Sequence, residues 1–306
     1  MINPILKTYI AGIELKHPVM IGSGVLNDQP QLLERAIMEG EPSAIVTKTI
    51  TWEAREGYPS PIIVELPQGG YLNAVGLANP GKDSIPSLIE VGYKYNTPII
   101  VSIAGSSIKE FIDLAILAEE HKCIAIELNL SCPHVKGLGA ELGRDPKMVY
   151  IVTKEVSSVV KIPILVKLGP WDNVIQVSSK ALEGGAKALV LVNTIRGMII
   201  DIYTMKPILS NIIGGLSGTP LHPIAVRIVY EVYKELEPEI IGVGGVIDHE
   251  TAIEFLLAGA RAVQVVSAII KNGFKIIKEI VNGIEHYLKF MNLKSINDII
   301  GITHKS

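Results

Sequence analysis

Cysteine is almost missing from this chain, with two in 306 residues. Cys123 and Cys132 have neither disulfide-framework nor zinc-ligand spacing, so no disulfide scaffold and no metal site is expected, and a reducing cytoplasmic setting is. Charge of one sign is equally scarce: 28 basic residues stand against 31 acidic ones, a net charge of -3. No basic run interleaved with aromatics occurs, which argues against nucleic acid as the main partner. No apolar run reaches the roughly 18–20 residues that span a bilayer, so no membrane association is expected. Met1 to Pro18 mixes charges and a proline with its apolar residues, unlike a signal peptide. Internal repeats beyond a βα alternation, low-complexity tracts and inter-domain linkers are also lacking, and residues 1–306 are read as one domain.

What the chain has is apolar material: 48% hydrophobic against 19% charged residues, enough for a large core. It falls into short β-branched runs at 19–24, 44–49, 98–104, 125–131, 164–169, 188–194, 240–246 and 262–268. Near-continuous apolar strands suit a parallel sheet covered on both faces. Helical patterns lie between them at 29–40, 83–94, 107–121, 146–160, 174–185, 222–236 and 249–258, and a long helix is predicted over about 269–289. Eight βα units predict a (β/α)8 TIM barrel; a doubly wound open sheet is the alternative, and eight repeats favour closure. Residues 6–18 look like a small N-terminal hairpin able to plug the barrel bottom. Three connections are long, after strands two, four and six (50–82, 132–145 and 195–221), and all follow strand C-termini. They are therefore expected on the catalytic face.

The polar residues at those strand ends carry the chemistry. Asn129-Leu130-Ser131-Cys132-Pro133 closes strand four and opens a glycine-rich loop, gathering a carboxamide, a hydroxyl and a thiol. Cys132 is a candidate base or nucleophile, or else a buried structural thiol; Cys123, next to a helix end, is expected to pack. Lys48 and Lys167 put cations on two strands. Lys167 sits inside an apolar strand, where an unpaired ammonium is costly, so it requires an anion: Glu127 or a ligand. The stretch 72–81 (LNAVGLANPG) offers Asn73 and Asn79 as donors and acceptors, although Asn and Gly are also turn formers. Asn193-Thr194 ends strand six and adds another carboxamide, suited to a polar planar heterocycle. Gly244-Gly245 after strand seven and Val266-Ser267 after strand eight stand before helices, where phosphate binds in this fold.

Together these residues resemble the dihydroorotate dehydrogenase family from about Ser23 to Ala268. The resemblance rests on Ser23-Gly24, Thr47-Lys48-Thr49, the 72–81 loop, NLSCP at 129–133, VKL at 166–168, Asn193-Thr194, GGLSG at 214–218 and GVGG at 242–245. It implies a barrel bearing one FMN that oxidises dihydroorotate to orotate in pyrimidine synthesis. Cys132 would remove the C5 proton while the C6 hydride leaves for flavin N5. Lys48 would touch both flavin and substrate. Asn73, Ala74, Val75, Gly76 and Leu77 would line the substrate with Asn129, Asn193 and Thr194. Ser23, Thr49, Ser102, Asn129 and Lys167 would contact FMN, Lys167 at the N1/O2 edge. Val192, Gly218, Gly244, Gly245, Val266 and Ser267 would complete that contact.

A cysteine at position 132 resembles the soluble class, and the 72–81 wording resembles the NAD-linked (class 1B) catalytic subunit. That implies an electron-transfer partner subunit with FAD and a 2Fe-2S cluster, and a homodimer of barrels within a heterotetramer. Two cysteines cannot hold such a cluster in this chain. Ser102 stands where the family has a flavin-contacting Asn, Val266 where it has Gly, and Gly169-Pro170-Trp171 where it has Ser-Pro-Asn. Competing expectations are a dehydrogenase of another pyrimidine, a fumarate-linked dihydroorotate dehydrogenase, a flavin-free phosphate-binding lyase or isomerase, and a non-enzymatic scaffold subunit.

Overall fold

The computed structural model describes residues 5–26, 29–131 and 142–305. Eight parallel strands close into a barrel in sequence order: β1 (Val19–Ile21), β2 (Ile45–Val46), β3 (Ile99–Ile103), β4 (Ala125–Asn129), β5 (Ile164–Leu168), β6 (Ala188–Leu191), β7 (Ile240–Val243) and β8 (Ala262–Val265). Around them run α1 (Pro30–Gly40), α2 (Ile85–Lys94), α3 (Ile108–Glu120), α4 (Pro146–Val159), α5 (Val174–Glu183), α6 (His222–Leu236) and α7 (His249–Leu257). Local chemistry starts these helices where the sequence predicts. Proline occupies the first turn of α1, α2, α4 and α6, where its missing N–H costs nothing. Ser107, Asp145 and Asp248 accept first-turn amide hydrogens of α3, α4 and α7.

Two cores follow from the alternation of each strand. In β5, Ile164, Val166 and Leu168 pack outward against the helices, and Leu165 packs into the lumen. Lys167 shares the parity of Leu165 and so points inward. The same alternation turns Ser102, Glu127, Asn129 and Gln264 inward, opposite the outward Val101, Ile126, Leu128 and Val263. The lower lumen is apolar. There Met20, Val46, Ile100, Leu165 and Val190 meet Ile10, Ile13 and Leu15 of the N-terminal hairpin, Thr8–Ile10 paired with Ile13–Leu15. Its two-residue turn, Ala11-Gly12, has φ of 51° and 79° at successive positions, as a tight hairpin turn requires. The expected plug is thus present.

Two expectations need correction. The predicted helix over 269–289 is two helices, α8 (Ser267–Asn272) and α9 (Ile276–Phe290), because Gly273 takes φ 68° and ends the first. The long loops after β2 and β6 are not merely loops. Ile63–Glu65, Tyr71–Asn73, Gly214–Ser217 and Ile195–Gly197 form one four-stranded antiparallel sheet. The part of the loop after β4 at 132–141 lies outside the described residues. Among the described residues no helix is long and apolar enough to cross a membrane.

His17 locks the chain into β1. Its Nε2–H donates to the Glu41 carbonyl at 3.0 Å and its Nδ1 accepts the Val19 amide hydrogen at 3.3 Å. A second ring proton would go on Nδ1 and break the Val19 bond. Burial pushes the imidazole down from 6.5 to about 4, outweighing the donation to Glu41, which favours the charged ring. The unfolded chain therefore binds a proton that the folded chain refuses. The contribution is present above about pH 6.5 and is lost as pH falls towards about 4, amounting to about 3 kcal/mol. Urea unfolding across this range should show a smaller acid loss for His17→Asn than for the wild type. Parallel pH profiles would refute the assignment.

Candidate active site

Above the apolar plug the lumen turns polar. Glu127 is fully buried, and its carboxylate accepts from Ser102 Oγ at 2.9 Å and from Gln264 Nε2 at 3.3 Å. Ser102 Oγ lies 3.0 Å from Thr49 Oγ1, which accepts from Asn129 Nδ2 at 2.9 Å and stands 3.4 Å from Ser23 Oγ. Asn129 Oδ1 in turn accepts from Ser131 Oγ at 2.9 Å, and Ser131 Oγ accepts from Asn193 Nδ2 at 2.6 Å. Asn193 Oδ1 takes the Thr194 amide at 2.7 Å. The ends of β2, β3, β4 and β6 are thereby joined into one hydrogen-bonded rim. Lys48 sits half-buried between buried Thr47 and Thr49 at the same level.

The Glu127 geometry corrects one expectation: its oxygens serve Ser102 and Gln264, not Lys167. Lys167 is only 5% exposed, and among the described residues its ammonium has no hydrogen-bond or ion-pair partner. It faces a cavity at the C-terminal mouth that is also lined by Ser23, Val192, Gly218, Gly244, Gly245 and Ser267. A buried ammonium without a protein anion is costly, and an anionic ligand in that cavity removes the cost. Gln264 lines the same cavity with a buried Oε1 that has no donor among the described residues.

The glycines shape the other wall. Gly218, Gly244 and Gly245 have φ of 86°, 132° and 71°. A Cβ on Gly245 would meet the Gly218 carbonyl and the His222 Cβ at 2.7 Å each. His222 braces this wall, with Nδ1 3.0 Å from the Gly244 carbonyl and Nε2 2.9 Å from Glu254. The glycines do not stand directly before a helix, as the sequence suggests; residues 246–248 separate them from α7, and α8 after Val266 is six residues long. The wall is therefore a close-approach cradle of backbone groups, suited to a bulky oxyanion such as phosphate.

The remaining residues separate clearly. Asn73 and Ala74 lie at the end of the central strand of the loop sheet, where Asn73 pairs with Gly215 and Ile63. Gly76 and Leu77 have φ of 75° and 56°, and half-buried Val75 precedes them. Asn79, in contrast, is spent on its own turn. Its Oδ1 accepts from the Thr51 and Gly81 amides at 3.1 and 2.9 Å, and its Nδ2 donates to Thr51 Oγ1 and the Leu77 carbonyl at 2.8 and 2.7 Å. Ser102 and Thr49 form the buried floor rather than the open wall. Cys123 packs as expected, its thiol pushed up to about 12 by burial. Cys132 and His134 lie outside the described residues. Glu127 and Gln264 were missing from the predicted site; a polar residue at an inward position of an otherwise apolar strand is the signal that marks both.

The Dihydroorotate dehydrogenase family model matches residues 5–288. The chain belongs to the dihydroorotate dehydrogenase family. It is similar to the catalytic subunit of dihydroorotate dehydrogenase B (NAD(+)) of Pyrococcus horikoshii, 46% identical over 100% of both chains. It is also similar to the putative dihydroorotate dehydrogenase A (fumarate) of Aeropyrum pernix, 45% identical over 99% of each. The crystal structure of the Eimeria tenella enzyme in complex with ferulenol covers 100% of this chain and 90% of its own, with a TM-score of 0.85 at 21% identity, a likeness of fold. Membership makes this chain an oxidoreductase with a TIM-barrel fold, acting on dihydroorotate in pyrimidine biosynthesis.

Asn79→Ala should strand two buried amide hydrogens and cost about 2–4 kcal/mol of local stability. Limited proteolysis should then cut within 51–81 faster than in the wild type; unchanged cleavage would contradict the turn-holding role.

Proposed function

We propose that the whole chain works as one FMN-binding barrel that oxidises dihydroorotate to orotate. The observation that carries this reading is the buried Lys167 ammonium facing a glycine-cradled cavity without a protein anion. The cradle at Gly218, Gly244, Gly245 and Ser267 suits a phosphate, and Ser23, Val192 and Val266 line the space between it and Lys167. These residues fit FMN. When bound, FMN supplies the two-electron acceptor that takes the substrate's C6 hydride at N5.

The chain's own residues do the rest. Cys132 removes the C5 proton. The rim of Asn129, Asn193 and Thr194, joined by Asn73, Ala74, Val75, Gly76 and Leu77, binds the substrate carboxylate and ring amides, with Lys48 beside them. Preset donors and acceptors of this kind orient a planar substrate and need no reorganisation during reaction. Thr49 and Ser102 support the rim from below. Lys167 places a fixed positive charge where reduction adds negative charge.

A partner subunit would carry FAD and a 2Fe-2S cluster and would supply the electron path to NAD. The relatives named as NAD(+)-linked catalytic subunits, at 40–46% identity, support this acceptor and a second subunit; the barrels would pair within that assembly. The Aeropyrum pernix relative, at 45%, supports fumarate as the second reading. Adding each acceptor to reduced enzyme, with and without the partner, separates the two.

Two variants test the roles. Cys132→Ala should keep its FMN and reduce it with dihydroorotate more slowly by a factor on the order of 10²–10⁴; an unchanged rate would remove Cys132 as the base. Lys167→Ala should raise the FMN dissociation constant by on the order of 10- to 100-fold, the loss of a charge-assisted contact. Wild-type FMN affinity and flavin potential would refute that role.

A further inference from the structure

The glycine wall has a sense as well as a shape. The Gly244–Gly245 peptide is trans, so its carbonyl and its N–H point in opposite directions. The Gly244 carbonyl is directed at the His222 ring, 3.0 Å from Nδ1. His222 opens α6 and stands behind the wall, outside the lining of the cavity, whereas Gly244 and Gly245 belong to that lining. The Gly245 N–H is thereby turned to the cavity side. Gly245 is buried, and among the described residues no acceptor takes its amide hydrogen. A buried N–H without an acceptor is rare in a folded chain, and one that faces a cavity calls for an acceptor on the ligand.

Among the described residues His222 is the only hydrogen-bond partner of this peptide, so no backbone bond sets its sense. Turning the peptide over needs rotation about ψ of residue 244 and φ of residue 245. Both are glycines, which adopt either arrangement without a Cβ penalty. Turned over, the peptide would put a carbonyl oxygen where the N–H now stands and would repel an anion. The His222 bond separates the two states. A carbonyl only accepts, so Nδ1 must carry a proton. The ring is held from two further sides: Nε2 lies 2.9 Å from Glu254 Oε2, and Phe255 meets the ring edge-on with centroids 5.2 Å apart. A ring carrying both protons makes both bonds.

We propose that His222 is a positioning residue for phosphate: its Nδ1–H holds the Gly244 carbonyl away from the cavity, so that the Gly245 N–H is presented to the phosphate of FMN. This rests on the reading of the cavity as the FMN site. His222 acts through the peptide and does not touch the cofactor.

The test compares FMN with riboflavin, which lacks only the phosphate, on the flavin-free full chain by flavin fluorescence. His222→Leu removes the donor; His222→Asn keeps one at the place of Nδ1. His222→Leu should raise the FMN dissociation constant about tenfold or more, as for the loss of a hydrogen bond to a charged group, and leave that of riboflavin unchanged. His222→Asn should bind both as the wild type does. His222→Met makes the same test where His222→Leu does not fold. Wild-type FMN affinity in the apolar variant would overturn the proposal. So would equal losses for FMN and riboflavin, or a His222→Asn as weak as the apolar variant, which are the results of a packing role. If the wild type takes up neither flavin, the FMN reading has failed, and the peptide is read instead with inorganic phosphate in 15N spectra. The Gly245 amide signal should then move with phosphate in the wild type and His222→Asn and stay in the apolar variant. Equal movement in all three, or none in the wild type, would overturn the proposal.

Discussion

A strand in a closed barrel sends every second side chain into the lumen, and here the lumen changes character along its axis. Its lower half is filled by Leu165, Val190, Ile100 and the hairpin residues Ile10, Ile13 and Leu15. One step higher on the same strands the inward positions are Ser102, Glu127, Lys167 and Gln264. A dry floor directly beneath a buried polar layer leaves that layer no water from below. Each polar group must find a partner in the protein or in the ligand. Glu127 finds its partners in the protein, whereas Lys167 is directed to the cavity. The site is the part of the lumen where this accounting is completed by something other than the chain.

That division explains how positioning and binding are separated. Buried Thr49 and Ser102 have their hydrogen-bonding capacity taken up by neighbours, which makes them a rigid floor. Asn193 and Thr194 are half-buried at the mouth, where they are held by the floor and still reachable. The glycine wall at 218 and 244–245 contributes close backbone instead of side chains, and His222 braces it from behind. The loop sheet joins the segments after β2 and β6 across the mouth, so Asn73 is carried by a paired strand.

Much of this was legible in the residues. All eight barrel strands, the plug and the rim motifs follow from short apolar runs that end in polar residues, because a parallel strand covered on both faces is apolar along its length and turns polar only where it reaches the barrel mouth. The loop sheet was not legible: its strands are three or four residues long, two of them carry glycine, and the pairing of Tyr71–Asn73 with Gly214–Ser217 joins segments distant in sequence. The split between α8 and α9 turns on one glycine in an otherwise periodic stretch. Of the two anions open to Lys167, Glu127 drops out because its partners, Ser102 and Gln264, come from other strands of the closed ring, which strand-by-strand reading does not bring together. Asn79 illustrates the opposite case, in which the turn chemistry of an Asn-Pro-Gly segment wins over ligand binding.

The central claim is that this cavity holds a flavin which dihydroorotate reduces. It is tested most directly by adding dihydroorotate to the purified FMN-loaded protein without oxygen and following the visible flavin absorbance. The account predicts rapid bleaching at one FMN per chain, and none with dihydrouracil. A flavin that stays oxidised with dihydroorotate, or a protein that cannot take up FMN at all, would contradict it.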